Sequence, residues 1–133
     1  AWLVARMRRG LHECALGARV DPVLGPVVMI GSGGKYVEAL RDVAVLMPPF
    51  DAAQVVEKLR GLRIGALLQG VRGDPPADVQ ALAQQAVALG RYALAAGPRL
   101  ASVDINPVMV GAEGQGAVAV DALVELHPAR EAA

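Results

Sequence analysis

Two periodicities divide the chain. From His12 to Val20, the positions Cys14, Leu16, Ala18 and Val20 alternate with Glu13, Ala15, Gly17 and Arg19, an imperfect period of two that predicts a half-buried strand. Asp21-Pro22 breaks the pattern and Gly25-Pro26 closes the loop that follows. Val27-Val28-Met29-Ile30 is an unbroken apolar run, predicting a strand buried on both faces, and it stops abruptly at Gly31-Ser32-Gly33-Gly34. Two shorter strands are predicted at Trp2 to Met7, ended by Arg8-Arg9-Gly10, and at Val43 to Met47, ended by Pro48-Pro49. The period then lengthens. Asp51 stands where an N-cap belongs, ahead of a helix from Ala52 to Gly61 with Val55, Val56, Leu59 and Leu62 along one side. From Ala77 to Ala96 the apolar positions Val79, Leu82, Ala83, Ala86, Leu89, Ala93 and Leu94 predict a long amphipathic helix, with Asp78 near its start and Gly97-Pro98 at its end. Leu100 to Val110 and Ala117 to Val124 predict the last strands, joined through a hairpin-like loop from Gly111 to Gly116. This order predicts an α+β fold, with two helices packed on one face of a largely antiparallel sheet.

Composition sharpens this picture. With 133 residues the chain is long enough for one domain spanning 1–133, with a core that needs no disulfide or metal. The aromatic residues are only Trp2, Tyr36, Phe50 and Tyr92, so the core must be built from Ala, Val, Leu, Ile and Met. Thirteen Lys and Arg against 13 Asp and Glu leave no basic surplus for a nucleic acid, and no nucleic-acid partner is expected. The longest charge-free run, Pro22 to Gly34, is shorter than the roughly 18 apolar residues of a membrane span and is broken by glycines and prolines. No membrane partner is expected either. A lone Cys14 excludes an internal disulfide and points to a reducing compartment, the cytoplasm. The apolar start at Trp2 precedes its basic cluster, the reverse of a signal peptide, and a beginning in mid-strand character reads as a piece of a longer protein.

Two places carry candidate chemistry. In Gly31-Ser32-Gly33-Gly34-Lys35, backbone amides without side chains are suited to approach an anion closely, though a tight turn alone favours the same residues. The cluster is not a Walker A loop, whose required positions hold Met29 and Tyr36, nor a dinucleotide fingerprint, whose third glycine position is Tyr36. The second place is Asp104-Ile105-Asn106-Pro107 at one strand with Asp121 on the next. Period-two geometry sets 104 and 106 on one face, and a hairpin brings 106 and 121 near each other. Their hard oxygens suit magnesium beside a phosphate and waters; Asn-Pro as a turn and Asp121 as a solvated acid are the plainer alternative. His12 and His127 have no partner at metal-ligand spacing, and Cys14 reads as a core residue.

The segments taken together resemble a known family. His12-Glu13, Leu16-Gly17-Ala18, Asp21-Pro22, Gly25-Pro26-Val27-Val28-Met29, Gly31, Gly33-Gly34, Val37-Glu38 and Asp42-Val43 resemble, in that order, the ATP-grasp portion of NDP-forming acyl-CoA synthetases. So do Leu62, Gly70-Val71-Arg72-Gly73, Pro75-Pro76-Ala77-Asp78, Asp104-Ile105-Asn106-Pro107 and Val118-Ala119-Val120-Asp121-Ala122, and succinyl-CoA synthetase β subunits show a looser version. The resemblance covers almost the whole chain and implies the C-terminal subdomain of an ATP-grasp domain. It implies a ligase that exchanges a phosphoryl group between ATP or ADP and a phosphohistidine, coupled to acyl-CoA formation. On it, Asn106 and Asp121 match magnesium-binding positions and Asp104 a supportive acid. Gly33 and Gly34 match the glycine pair near the phosphates, and Val4-Ala5-Arg6-Met7 falls where the hinge meets adenine, so Arg6 and Met7 are the implied base contacts. No catalytic side chain is assigned to this part. Two departures accompany the resemblance. Ala5-Arg6 replaces the polar pair common at the hinge, and the chain holds neither the N-terminal lobe nor the CoA-binding and phosphohistidine domains, so it is expected to be inactive alone. The competing readings are a non-catalytic interaction or regulatory module of the same fold, and a fused acyltransferase enzyme that merely contains this lobe.

Overall fold

The computed structural model describes residues 1–34 and 41–129. The strands are β1 (His12–Asp21), β2 (Gly25–Ser32), β3 (Val43–Leu46), β4 (Leu100–Val110), β5 (Ala117–Ala119) and β6 (Ala122–Leu126). The helices α1 (Ala52–Arg60), α2 (Arg63–Leu68) and α3 (Val79–Ala96) lie between β3 and β4, and a 3-10 turn at Gly97–Arg99 leads into β4. The six strands form one sheet in the order β3-β2-β1-β4, with β5 and β6 both paired to the far edge of β4, and every pairing is antiparallel. Among the described residues no helix is long and apolar enough to cross a membrane.

One face of the sheet carries the core. Cys14, Leu16 and Ala18 of β1, Val28 and Ile30 of β2, and Val103, Val108 and Val110 of β4 pack beneath Leu82, Ala83, Ala86, Leu89 and Ala93 of α3. The α3 spacing matches the stripe read from the sequence except at Leu94, which is exposed. Val27, Val28 and Ile30 are buried as a two-faced strand requires, whereas Met29 is only half-covered. Its neighbour across the ladder is Gly17, which offers no side chain to cover it. Cys14 lies fully inside, and burial pushes its thiol up to about 12. A maleimide or iodoacetamide probe at pH 8 should therefore leave Cys14 unmodified in the native protein and label it in urea. Mass spectrometry of the two samples checks this.

Two predicted elements come out differently, and one element stands where none was predicted. Trp2 to Met7 is not a strand: residues 1–10 carry no regular structure, and Trp2 is 98% exposed. A strand needs an edge to bond, and the chain first joins the sheet at Leu11, whose N–H donates to Val110 O at 2.8 Å. A third helix, α2, stands beside the two expected. Its N-cap Leu62 offers no side-chain hydrogen bond. Asp42 caps it instead from elsewhere in the chain, accepting from Arg63 N and Ile64 N at 2.8 Å each and from Ser32 Oγ at 3.1 Å. Finally, the strand from Ala117 to Val124 is split into β5 and β6 at Val120-Asp121. The expected caps are present: Asp51 closes a capping box with Gln54 on α1, and Asp78 accepts from Ala81 N at 3.1 Å on α3. Asp78 also anchors the Gly111-to-Gly116 loop, accepting from Gly114 N and Gly116 N.

Candidate functional site

The open face of the sheet, opposite the helices, holds the chemistry-bearing residues, and a defect in β4 puts them there. Leu16 pairs with Ile105, yet Cys14 pairs with Val108, so β4 carries one residue more than β1 across this step. The extra residue falls at Asn106-Pro107, where proline has no N–H to give to a ladder. The slip changes the parity of the strand. Val103 and Ile105 face the core before it, Val108 and Val110 after it, so Asp104 and Asn106 stay on the open face while the core runs on uninterrupted.

The break between β5 and β6 lies opposite this bulge. Asn106 N donates to Asp121 O at 3.1 Å, and Val120 N donates to Pro107 O at 3.0 Å. The β4–β6 register pairs Asp104 with Leu123 and Ile105 with Ala122, so one further step sets Asn106 level with Asp121. Directly opposed residues of an antiparallel ladder point to the same face. The structure thus brings Asn106 and Asp121 together on one face, with Asp104 one position along. Asn106 is half-buried, and Asp104 and Asp121 are exposed.

The glycine loop approaches from β2. Gly34 N donates to Asn106 Oδ1 at 2.9 Å across 72 residues of sequence, and Gly33 N donates to Glu13 O at 3.0 Å. Both amides are therefore bonded within the protein rather than directed at solvent. A Cβ on Gly33 would run into the Cys14 backbone, so only glycine lets the loop lie this close to β1. Gly34 has φ +85°, and a Cβ there would strike the Glu13 carboxylate. Lys35, Tyr36, Val37 and Glu38 fall outside the described residues.

Sequence reasoning missed Glu13 as a neighbour of this site. The signal available was its phase, since Glu13 shares the polar side of β1, but nothing local told that Gly34 would come to rest against it. Arg6 and Met7 stand in the exposed leading segment, and no hydrogen bond among the described residues ties either to the Asn106 cluster.

The electrostatics favour a cation on this face. Register places Glu13, Asp21, Asp104 and Glu125 on it, with Asp121 in the break beside Asn106, against Arg19 alone among the described strand residues. An anionic ligand such as a polyphosphate needs a counter-charge here. The donor set suits a hard divalent ion, because a carboxylate and an amide oxygen are oxygen ligands of the kind magnesium takes. It is a partial set. No group of three or more His, Cys, Asp and Glu converges into a metal cage among the described residues, so phosphate oxygens and water would complete the coordination.

The chain is similar to several known proteins. A trans-feruloyl-CoA synthase from an unknown prokaryotic organism is 41% identical over 122 residues, covering 92% of this chain and 17% of that protein. The β subunit of the ADP-forming acetate–CoA ligase I of Pyrococcus furiosus is 37% identical over 120 residues, covering 90% of this chain and 50% of the subunit. The chain spans half or less of the length of these relatives. Acetyl-coenzyme A synthetase 1 of Ca. Korarchaeum cryptofilum, solved with coenzyme A and Mg-AMPPCP, matches with TM-score 0.83 and 31% identity over 91% of this chain and 55% of that one. In that structure a phosphohistidine segment points towards the nucleotide-binding site. The family model for the ATP-grasp domain matches residues 1–126, and the chain therefore belongs to the ATP-grasp domain family.

Proposed function

We propose that this chain is the C-terminal lobe of an ATP-grasp domain in a cytoplasmic ADP-forming acyl-CoA synthetase, and that it holds the magnesium-bound phosphates of ATP or ADP. The observation that carries the reading is the pairing of Asn106 with Asp121 on the open, acidic face, with Gly34 bonded to Asn106. In the full enzyme the phosphoryl group moves between the nucleotide and a phosphohistidine, coupled to formation of the acyl-CoA. The similarity to proteins that are themselves ADP-forming CoA ligases supports this assignment.

Phosphoryl transfer asks a protein chiefly for positioning and charge neutralisation. Asn106 and Asp121 would hold the metal, and the chemistry it supplies when bound is neutralisation of the charge on the phosphate oxygens. The chain's own contribution is geometric. The β4 bulge turns the Asn106 side chain outward while keeping the core closed, and the bonds of Asn106 and Pro107 to the β5–β6 break fix Asp121 beside it. Gly33 and Gly34 let the loop lie against β1 within reach of that pair. Arg6 and Met7 would take up their base-binding role once the leading segment is ordered against the N-terminal lobe. That lobe and the CoA-binding and phosphohistidine domains are the partners this reading requires.

A non-catalytic module of the same fold is the second reading, favoured by the leading segment, whose apolar side chains have no packing partner among the described residues. One assay separates the two. A protein carrying this lobe with the complete set of domains should form ADP from ATP in a CoA- and acid-dependent manner with at least one of a panel of short and aromatic acids, whereas the 133-residue chain alone should not. A well-folded complete protein that turns over none of the acids would overturn the enzymatic reading.

A further inference from the structure

The glycine loop is suited by its residues either to approach an anion or simply to turn, and the structure gives its amides other work. Gly33 N–H is bonded to Glu13 O, which fastens the base of the loop to β1. Gly34 N–H is bonded to Asn106 Oδ1 at 2.9 Å. A carboxamide has two ends of opposite character: the oxygen accepts and attracts a cation, whereas the amino group donates and repels one. A backbone N–H facing Asn106 admits only the oxygen at that position. Because the oxygen has two acceptor sites, one remains after the Gly34 bond is made.

We propose that Gly34 is a positioning residue for the cation site, its N–H setting which end of the Asn106 carboxamide faces the loop and so coupling the glycine loop to metal affinity. The proposal rests on the reading of Asn106 and Asp121 as metal-binding residues. Three features make the latch specific. Gly34 sits at φ +85°, a conformation that side-chain-bearing residues rarely adopt. The Glu13 carboxylate occupies the space a Cβ would need. Gly33 is pressed against the Cys14 backbone, so the loop cannot back away from β1 without losing the Glu13 bond. A carboxylate lining the loop also disfavours direct approach of a phosphate from the Glu13 side, which leaves the cation as the species the loop meets. Coupling of this kind is reciprocal. A cation seated on Asn106 Oδ1 keeps that oxygen turned to the loop and so must strengthen the Gly34 hydrogen bond, and a loop displaced from Asn106 must lower cation affinity.

The test uses the uniformly 15N-labelled chain with the metal alone. Mn²⁺ should broaden the amide resonances around Asn106 and Asp121, and Mg²⁺ should move the Gly34 amide proton downfield with the same midpoint as the Asp121 resonance. Gly34→Ala should weaken Mn²⁺ binding about five- to tenfold with the core resonances of Val28 and Leu82 unmoved. Asn106→Asp keeps an acceptor for Gly34 and adds charge, so it should bind Mn²⁺ more tightly and shift the Gly34 proton downfield before metal is added. If Asn106→Ala weakens Mn²⁺ binding while Gly34→Ala does not, the latch is wrong and the metal site stands. If Asn106→Ala leaves Mn²⁺ binding unchanged, the metal-site reading itself falls. Should Gly34→Ala fail to fold, the wild-type titration still decides: a Gly34 proton that stays still while Asp121 responds to Mg²⁺ overturns the coupling.

Discussion

Alanine at Asp121 is expected to lower phosphoryl exchange by the complete enzyme at least 100-fold, with little change in the stability of the lobe. The side chain is exposed and accepts no hydrogen bond among the described residues, so its removal costs the fold almost nothing. Its carboxylate, by contrast, is set level with Asn106 across the strand break. A metal clamp on a transferring phosphoryl group contributes several kcal/mol to the transition state, and about 3 kcal/mol corresponds to a rate factor of a little over 100. Asp121→Asn retains an oxygen but no charge and should fall between the two. Asn106→Ala should show the same kinetic loss plus about 1 kcal/mol of local destabilisation, because it leaves the Gly34 N–H without its acceptor. The decisive measurement is the magnesium dependence of the exchange rate. If raising Mg²⁺ tenfold does not partly rescue Asp121→Asn, the residue acts through something other than the metal.

Asp42→Ala is expected to produce the largest stability loss of any single polar truncation among the described residues, about 3 kcal/mol. Asp42 is only 8% exposed and is the N-cap that α2 lacks locally. Alanine would strip acceptors from Arg63 N, Ile64 N and the Ser32 hydroxyl at once. A lost cap costs about 1 kcal/mol and each stranded buried donor a further 1 kcal/mol or more. Burial pushes the Asp42 carboxyl up, but the N–H groups of Ile64 and Arg63, the Ser32 hydroxyl and the Arg63 charge outweigh it and hold the group below the usual carboxylate range. A folded-state value below the unfolded one means the stabilisation is fully present above about pH 4, where an unfolded aspartate ionises, and is lost as pH falls through the folded value. The stability gap between wild type and Asp42→Asn should therefore be constant from pH 7 to about pH 5 and shrink below about pH 4. Urea midpoints at those pH values check it, and a gap that widened in acid would contradict the assignment.

Asp42 also illustrates why part of the fold was not legible beforehand. The six residues of α2 have no local cap and a glycine at Gly65, so no window around them signals a helix; the cap is supplied from 21 residues upstream. The leading segment shows the opposite failure. Trp2 to Met7 has the apolar character of a strand, but strand character becomes a strand only where an edge offers hydrogen bonds, and none is offered before Leu11. Local signals suffice where they act alone. The alternation of β1, the Asp51 and Asp78 caps and the stripe of α3 all correspond to what the structure contains.

The site divides along the same line. Asn106 and Asp121 could be paired from sequence because hairpin strands of known phase bring predictable positions together, and their oxygen chemistry is intrinsic to the residues. Glu13 could not, because its meeting with Gly34 depends on how a loop returns over β1. The bulge at Asn106-Pro107 was hidden too: strict alternation would put Asp104, Asn106, Val108 and Val110 on one face, and only the extra residue separates the polar pair from the core pair.

The sequence by itself determined the fold class, the main strands and helices, the apolar core-facing stripes and the oxygen chemistry of Asn106 and Asp121, since each rests on local periodicity or on side-chain chemistry. Only the tertiary structure decided the employment of the glycine amides. Their partners, Glu13 and Asn106, lie 20 or more residues away, and a hydrogen bond to a distant acceptor leaves no trace in the local pattern.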